Sequence, residues 1–184
     1  MKVLIDACVL YPTVMREVVL GAARAGIFQP LWSERILEEW ARAAAKLGPG
    51  QEALARAEVA ALVAAFPRAS VQVRAGDMAR LWLPDPNDVH VLAAAIAGSA
   101  DVLLTMNVKD FPRSTVAEEG LRLAVPDLFV MECWAANEAA MIAVGRAILV
   151  EAVRLSGENW SARRLMKKAR LPRYGKALEA AGVE

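Results

Sequence analysis

The chain has 184 residues, of which 57% are hydrophobic and 23% charged, with 22 Lys and Arg set against 21 Asp and Glu. That length suits one domain with an appendage, and the composition excludes a disordered chain. The net charge of +1 says nothing of partners by itself, and two cysteines are too few for a disulfide scaffold.

Cys8 and Cys133 lie in apolar runs and read as buried thiols in a reducing compartment. Asp6 interrupts the N-terminal apolar run well short of the roughly 7–15 residues of a signal sequence. No stretch reaches the roughly 20 apolar residues of a membrane span. The chain is expected to be soluble and cytoplasmic, with no membrane partner.

Lys2 to Ile5 is a short apolar run ended by Asp6. Its lack of alternation predicts a central strand covered on both faces, with Asp6 at its carboxyl end. Thr13 to Ala25 has helical spacing and stops at Gly26. Ile27 to Trp32 predicts a short strand broken by Pro30. Ser33 then caps a helix with an apolar stripe of Ile36, Leu37, Trp40, Ala41 and Ala44, beside which fall Glu38 and Glu39. Gly48-Pro49-Gly50 stops it. Gln51 to Phe66 predicts another helix with Leu54, Ala57, Ala61, Leu62 and Ala65 inward, and Val71 to Val73 a third strand.

The stretch Leu83 to Phe111 carries the chemistry. Pro84 and Pro86 fix a turn, and Asp85 or Asn87 can cap a helix over Asp88 to Ala97 that Gly98 closes. Val102 to Thr105 predicts a fourth strand, followed by Asn107 and Asp110. A short helix over Ser114 to Gly120 and an edge strand over Leu121 to Val125 complete the pattern. Short apolar strands alternating with amphipathic helices give an α/β sandwich on a mostly parallel sheet, with its chemistry outside the strand carboxyl ends.

Beyond it the composition changes. Ala135 to Leu155 reads as one long helix, and Ser161 to Ala169 and Arg173 to Ala181 as two shorter ones. Trp160 to Lys176 holds Arg163, Arg164, Lys167, Lys168, Arg170, Arg173 and Lys176 and no acid. Arg163, Arg164, Lys167 and Lys168 are the candidates for contacting nucleic acid, with a solvated helix face as the alternative. The expected division is 1–130 for the α/β domain and 131–184 for a helical C-terminal extension.

Asp6, Asp85, Asp88, Asp110 and one of Glu38 and Glu39 all fall at strand ends or helix starts, where a doubly wound sheet can gather them. Two unit charges about 4 Å apart repel by roughly 4 kcal/mol at an effective dielectric near 20, so such a group calls for a proton or a cation. An all-oxygen set suits Mg²⁺ or Mn²⁺. One histidine and no cysteine pair argue against zinc. No phosphate-binding loop, nucleophile elbow or dinucleotide fingerprint is present. A receiver-type phosphotransfer site lacks its pair of acids after the first strand. His90, beside Asp88, reads as packing or surface, and the five tryptophans as core or interface.

VLIDACVLYP, SERILEEW and DPNDVHVLAAAIAGSADVLLTMNVKDF together resemble the PIN-domain nucleases, in particular their bacterial toxin-like branch. The resemblance spans residues 1 to 130. It implies a PIN-like three-layer sandwich and metal-dependent cleavage of RNA by water, leaving a 5′-phosphate. It also implies a small inhibitory antitoxin partner and a homodimer. Carried over, it makes Asp6, Glu39, Asp88 and Asp110 the catalytic and metal-holding acids. Asp85, Thr105 and Asn107 support them. Many relatives place an acid where Asn107 stands, and Asp110 is its substitute here. The competing reading is a PIN-fold module that binds RNA or a protein partner with weak or no catalysis.

Overall fold

The apolar run after Met1 forms β1 (Lys2–Ile5), followed by the short helix α1 (Ala7–Leu10) and by α2 (Thr13–Arg24). Next come β2 (Gln29–Ser33), α3 (Glu34–Ala44) and, after a 3-10 turn, α4 (Gln51–Ala65). β3 (Ser70–Val71) and α5 (Ala75–Met78) lead to a 3-10 turn over Pro86–Asp88 and to α6 (Val89–Ala97). β4 (Val102–Leu104), α7 (Arg113–Glu118) and β5 (Arg122–Ala124) close the strand-bearing part. The remainder is helical: α8 (Pro126–Ala136), α9 (Glu138–Ser156), α10 (Ala162–Lys168) and α11 (Pro172–Ala180). This computed structural model describes residues 1–184, the side chain of Ala75 excepted.

The chain forms two compact units, Met1–Tyr11 with Gln29–Ala124, and Pro12–Phe28 with Val125–Glu184. In the first, five parallel strands take the order β3-β2-β1-β4-β5. The chain builds outward from β1 on one side, then crosses to β4 on the other. The crevice at the carboxyl ends of β1 and β4 is therefore the topological switch point. Val3, Leu4 and Ile5 of β1 and Val102, Leu103 and Leu104 of β4 are all 1% exposed or less. Successive residues face opposite sides of a strand, so both faces of this sheet are covered. The architecture is the expected α/β sandwich.

Pro30 does not break β2, contrary to expectation. Gln29 N–H donates to Met1 O on the β1 side and Trp32 N–H to Ala69 O on the β3 side, so Pro30 turns its nitrogen toward β3. β3 begins only opposite Trp32, so the missing N–H costs no ladder bond. The inward face of α4 also differs. Leu54 is 59% exposed, and Ala55 and Leu62 are the buried positions. An alanine-rich helix offers several apolar faces, and Ala55 is selected by packing with Ala41 and Ala44. Ser33 caps α3 as expected, accepting from Ile36 N–H at 3.3 Å.

In the second unit α2 packs with α8 and α9, and α10 with α11. The single helix expected over Ala135 to Leu155 is two. Asn137 takes an extended conformation (φ −156°, ψ 84°) and accepts from Ala140 N–H at 3.0 Å, ending α8 and capping α9. The buried Tyr174 hydroxyl donates to Met141 O at 2.6 Å. No helix among the described residues is long and apolar enough to cross a membrane.

Candidate metal centre

The strand ends place the first two side chains. Ile5 pairs with Leu104 in register, and Asp6 N–H donates to Leu104 O, so Asp6 and Thr105 leave neighbouring strands side by side. Both are buried, and the Thr105 hydroxyl donates to Asp6 Oδ2 at 2.6 Å. Cys8, carried round by α1, donates its thiol to the same oxygen at 3.0 Å and accepts from Met106 N–H at 3.2 Å. Burial first, and then the charge of Asp6, push the Cys8 thiol up to about 12, so it stays protonated and able to donate. Sequence reasoning missed this role. Its signal was the i, i+2 spacing from Asp6 across the start of a helical turn.

The D-P-N-D segment places the next two acids. Asp85 accepts from Asn87 N–H at 2.9 Å and Pro86 occupies the first turn, so the chain enters a 3-10 turn. Residues three apart eclipse in that geometry, which sets Asp85 and Asp88 on one side. Asp110 arrives from the turn after β4, its N–H donating to Asn107 O at 3.3 Å. One carboxylate oxygen from each of Asp85, Asp88 and Asp110 lies within 4.8 Å of the others, and all three residues are half-buried.

Asp88 feels the crowding most. Burial, then the charges of Asp6, Asp85 and Asp110, push its carboxyl up to about 6, with His90 opposing. Asn107 Nδ2 donates to Asp88 Oδ2 at 2.8 Å, while Asn107 N–H donates to Thr105 Oγ1 at 2.9 Å. The asparagine thus ties Asp88 to Thr105 without adding charge. Lys109 Nζ stands 3.7 Å from Asp110 Oδ2, but its side chain is 83% exposed and such pairs are screened by water.

The two glutamates of α3 divide. Glu38 binds Arg56 and Arg42, which hold its carboxyl down to about 2. Glu39 stands outside the close acid group. Its Oε1 accepts from Arg35 Nε at 3.2 Å and lies 2.9 Å from Nε2 of the buried His90, at an angle too oblique for a hydrogen bond. Burial raises the Glu39 carboxyl, but His90 and Arg35 outweigh it and leave it below its ordinary value. Of the acids expected at the centre, Asp88 and Asp110 fall in the close group together with Asp85. Asp6 adjoins it through Thr105 and Asn107, and Glu39 is linked to the turn through Arg35, which also donates to Asn87 O at 3.5 Å.

This donor set fits a hard divalent cation. All three close donors are carboxylate oxygens, and their mutual repulsion already raises Asp88. The nearby sulfur is a protonated thiol held by Asp6, not a thiolate ligand.

A family model described as PIN domain matches residues 2–109, more than half of the chain. The chain belongs to the PIN-domain family. PIN domains are generally metal-dependent nucleases, so the acid group lies on a nuclease fold. No match to this PIN domain was found among curated proteins or among solved structures.

The basic residues lie in the second unit. Arg163, Arg164, Lys167 and Lys168 are all exposed on α10. The acid-free run is partly neutralised in space: Arg163 pairs with Glu179, Arg164 with Glu158, and Arg173 with Asp127. Arg164 and Lys168 also cover the Trp160 ring, at 4.6 and 4.8 Å from its centroid. Among the described residues Lys167 and Lys168 have no acidic partner.

Proposed function

We propose that this PIN domain is a Mg²⁺- or Mn²⁺-dependent endoribonuclease of the bacterial toxin-like branch, the toxin of a toxin–antitoxin pair. The observation that carries the reading is the group of Asp85, Asp88 and Asp110, gathered at the carboxyl ends of β1 and β4 beside the buried Asp6. Asp6, Glu39, Asp88 and Asp110 are the proposed ligand set, with Asp85 close enough to join it. When bound, the ion lowers the pKa of a coordinated water and offsets charge on the phosphodiester under attack.

The chain's own residues prepare that chemistry. Thr105 and Cys8 both donate to Asp6 Oδ2, which fixes how this carboxylate is presented. Asn107 does the same for Asp88. His90 and Arg35 hold the Glu39 carboxyl below its ordinary value despite its burial. Holding acids in place before substrate arrives removes reorganisation from the reacting complex. The resemblance supplies the finer parts of the proposal: a 5′-phosphate product, an antitoxin that covers the acids, a homodimer in a cytoplasmic setting, and a domain of residues 1–130 with an extension of 131–184. Arg163, Arg164, Lys167 and Lys168 are proposed to contact RNA phosphates.

A second reading, an RNA- or protein-binding module without catalysis, draws on Asn107. Its amide takes up an oxygen of Asp88 where an acid would contribute a ligand. Incubation of the protein with single-stranded and structured RNA, with Mn²⁺ or with EDTA, separates the two. The nuclease cuts only with Mn²⁺, and Asp6→Asn abolishes the cut. Cleavage that survives EDTA or the substitution contradicts metal-dependent hydrolysis, and tight binding without any cleavage favours the module. A short neighbouring reading frame encoding a DNA-binding protein would support the toxin role.

A further inference from the structure

Trp32, Trp40 and Trp160 are buried and Trp134 is half-buried, but Trp82 is 71% exposed and lies outside the core. Isolated apolar residues on a surface need no explanation. Trp82 differs in being pinned and in where it is pinned. Two residues before it, Arg80 clamps Glu119 through two hydrogen bonds of 2.5 and 2.8 Å. The residue after it, Leu83, is only 1% exposed. The chain on either side of the exposed indole is thus anchored. Three residues after Trp82 the chain reaches Asp85, and three residues of extended chain span at most about 11 Å. The exposed ring therefore belongs to a residue whose Cα lies within about 11 Å of that of Asp85.

We propose that Trp82 is a stacking platform for an unpaired base of the nucleic acid whose backbone is cut at the Asp85–Asp88–Asp110 centre. The inference rests on the nuclease reading and concerns how an unpaired base is seated, in a single strand or in the loop of a folded RNA. Every base has a π-face, so a lone tryptophan holds a base without reading its identity. Bases inside a duplex are already stacked and cannot reach it. The backbone is left to the acids and their ion, while the ring fixes where a neighbouring base lies and hence which phosphate is presented.

The test compares wild type with Trp82→Ala and Trp82→Phe. KM and kcat are read with Mn²⁺ on an unstructured oligoribonucleotide and on a duplex of equal length, and thermal unfolding confirms folding. Base–aromatic stacking is worth about 1–3 kcal/mol, so Trp82→Ala should raise KM for the single strand roughly five- to hundred-fold while kcat changes little. Trp82→Phe, which keeps an aromatic face, should recover most of that loss. Duplex cleavage should not respond to either substitution. An unchanged single-strand KM in Trp82→Ala, with the wild type active, overturns the platform and leaves the nuclease reading standing. So does a Trp82→Ala protein that loses a protein partner but cuts RNA normally. A wild type that cuts no RNA with Mn²⁺ overturns the nuclease reading itself, and the platform with it.

Discussion

Asp88 is the residue on which the centre turns. Its carboxyl sits near pH 6 in the folded chain, above the ordinary 3.8, because burial and three neighbouring acids disfavour the charged form. The folded state therefore holds this proton more tightly than the unfolded state. The stability it contributes is fully present below about 3.8 and is lost as pH rises through about 6. In metal-free buffer the wild type should lose Tm across that window relative to Asp88→Asn, which carries no such proton. Equal pH profiles would show that Asp88 is not crowded. Cation binding needs the ionised carboxylate and should strengthen over the same interval. Asn107 makes a second test. Asn107→Asp puts another charge beside Asp88, so the metal-free Tm should fall and the Mn²⁺-induced rise in Tm should grow. If neither moves, the amide is not part of the ligand surroundings.

At the scale of elements, much was legible where local chemistry settles the outcome. β1 is apolar from Val3 to Ile5, and Ser33 followed by the Ile36, Leu37, Trp40 stripe states both the start and the buried face of α3. Ser33→Ala removes the cap on Ile36 N–H and should cost about 1 kcal/mol in chemical denaturation. The D-P-N-D turn could be read for the same reason, since proline and a capping aspartate act within a few residues. Illegible features depend on distant partners. The face of α4 is chosen by Ala41 and Ala44, and Pro30 is tolerated because β3 is short. Asn137 was hidden inside a long apolar run that reads as one helix. The roles of Cys8 and Glu39 depend on what faces them: Asp6 and Thr105 for the thiol, His90 and Arg35 for the carboxylate. Gly145 is a further case. A Cβ there would lie 2.5 Å from Leu178 Cδ2 and 2.9 Å from the Tyr174 hydroxyl, so α9 and α11 meet at a position that admits no side chain. Leu178 and Tyr174 are both fully buried and have little room to yield. Gly145→Ala should therefore destabilise by about 1–3 kcal/mol, and a neutral outcome would mean the helices separate easily.

For the whole molecule, the order of segments hides how they are shared. The α2 segment lies between β1 and β2 in sequence, yet it packs with α8 and α9. Nothing within its own residues announces that, because an amphipathic helix specifies a face and not a partner. The basic run of the second unit shows the same limit, since its acids, Glu158, Glu179 and Asp127, come from outside the run. Reversing Lys167 and Lys168 should weaken RNA binding and flatten its dependence on salt, through lost counterion release. Unchanged binding would make them a solvated face. Asp85, Asp88 and Asp110 should together form a cation site on this PIN fold. Calorimetric titration of Mn²⁺ into the wild type and Asp88→Asn at neutral pH measures that site. Saturable binding to the wild type, greatly weakened by the substitution, is the expected result. Equal binding to both proteins, or none to the wild type, would contradict it.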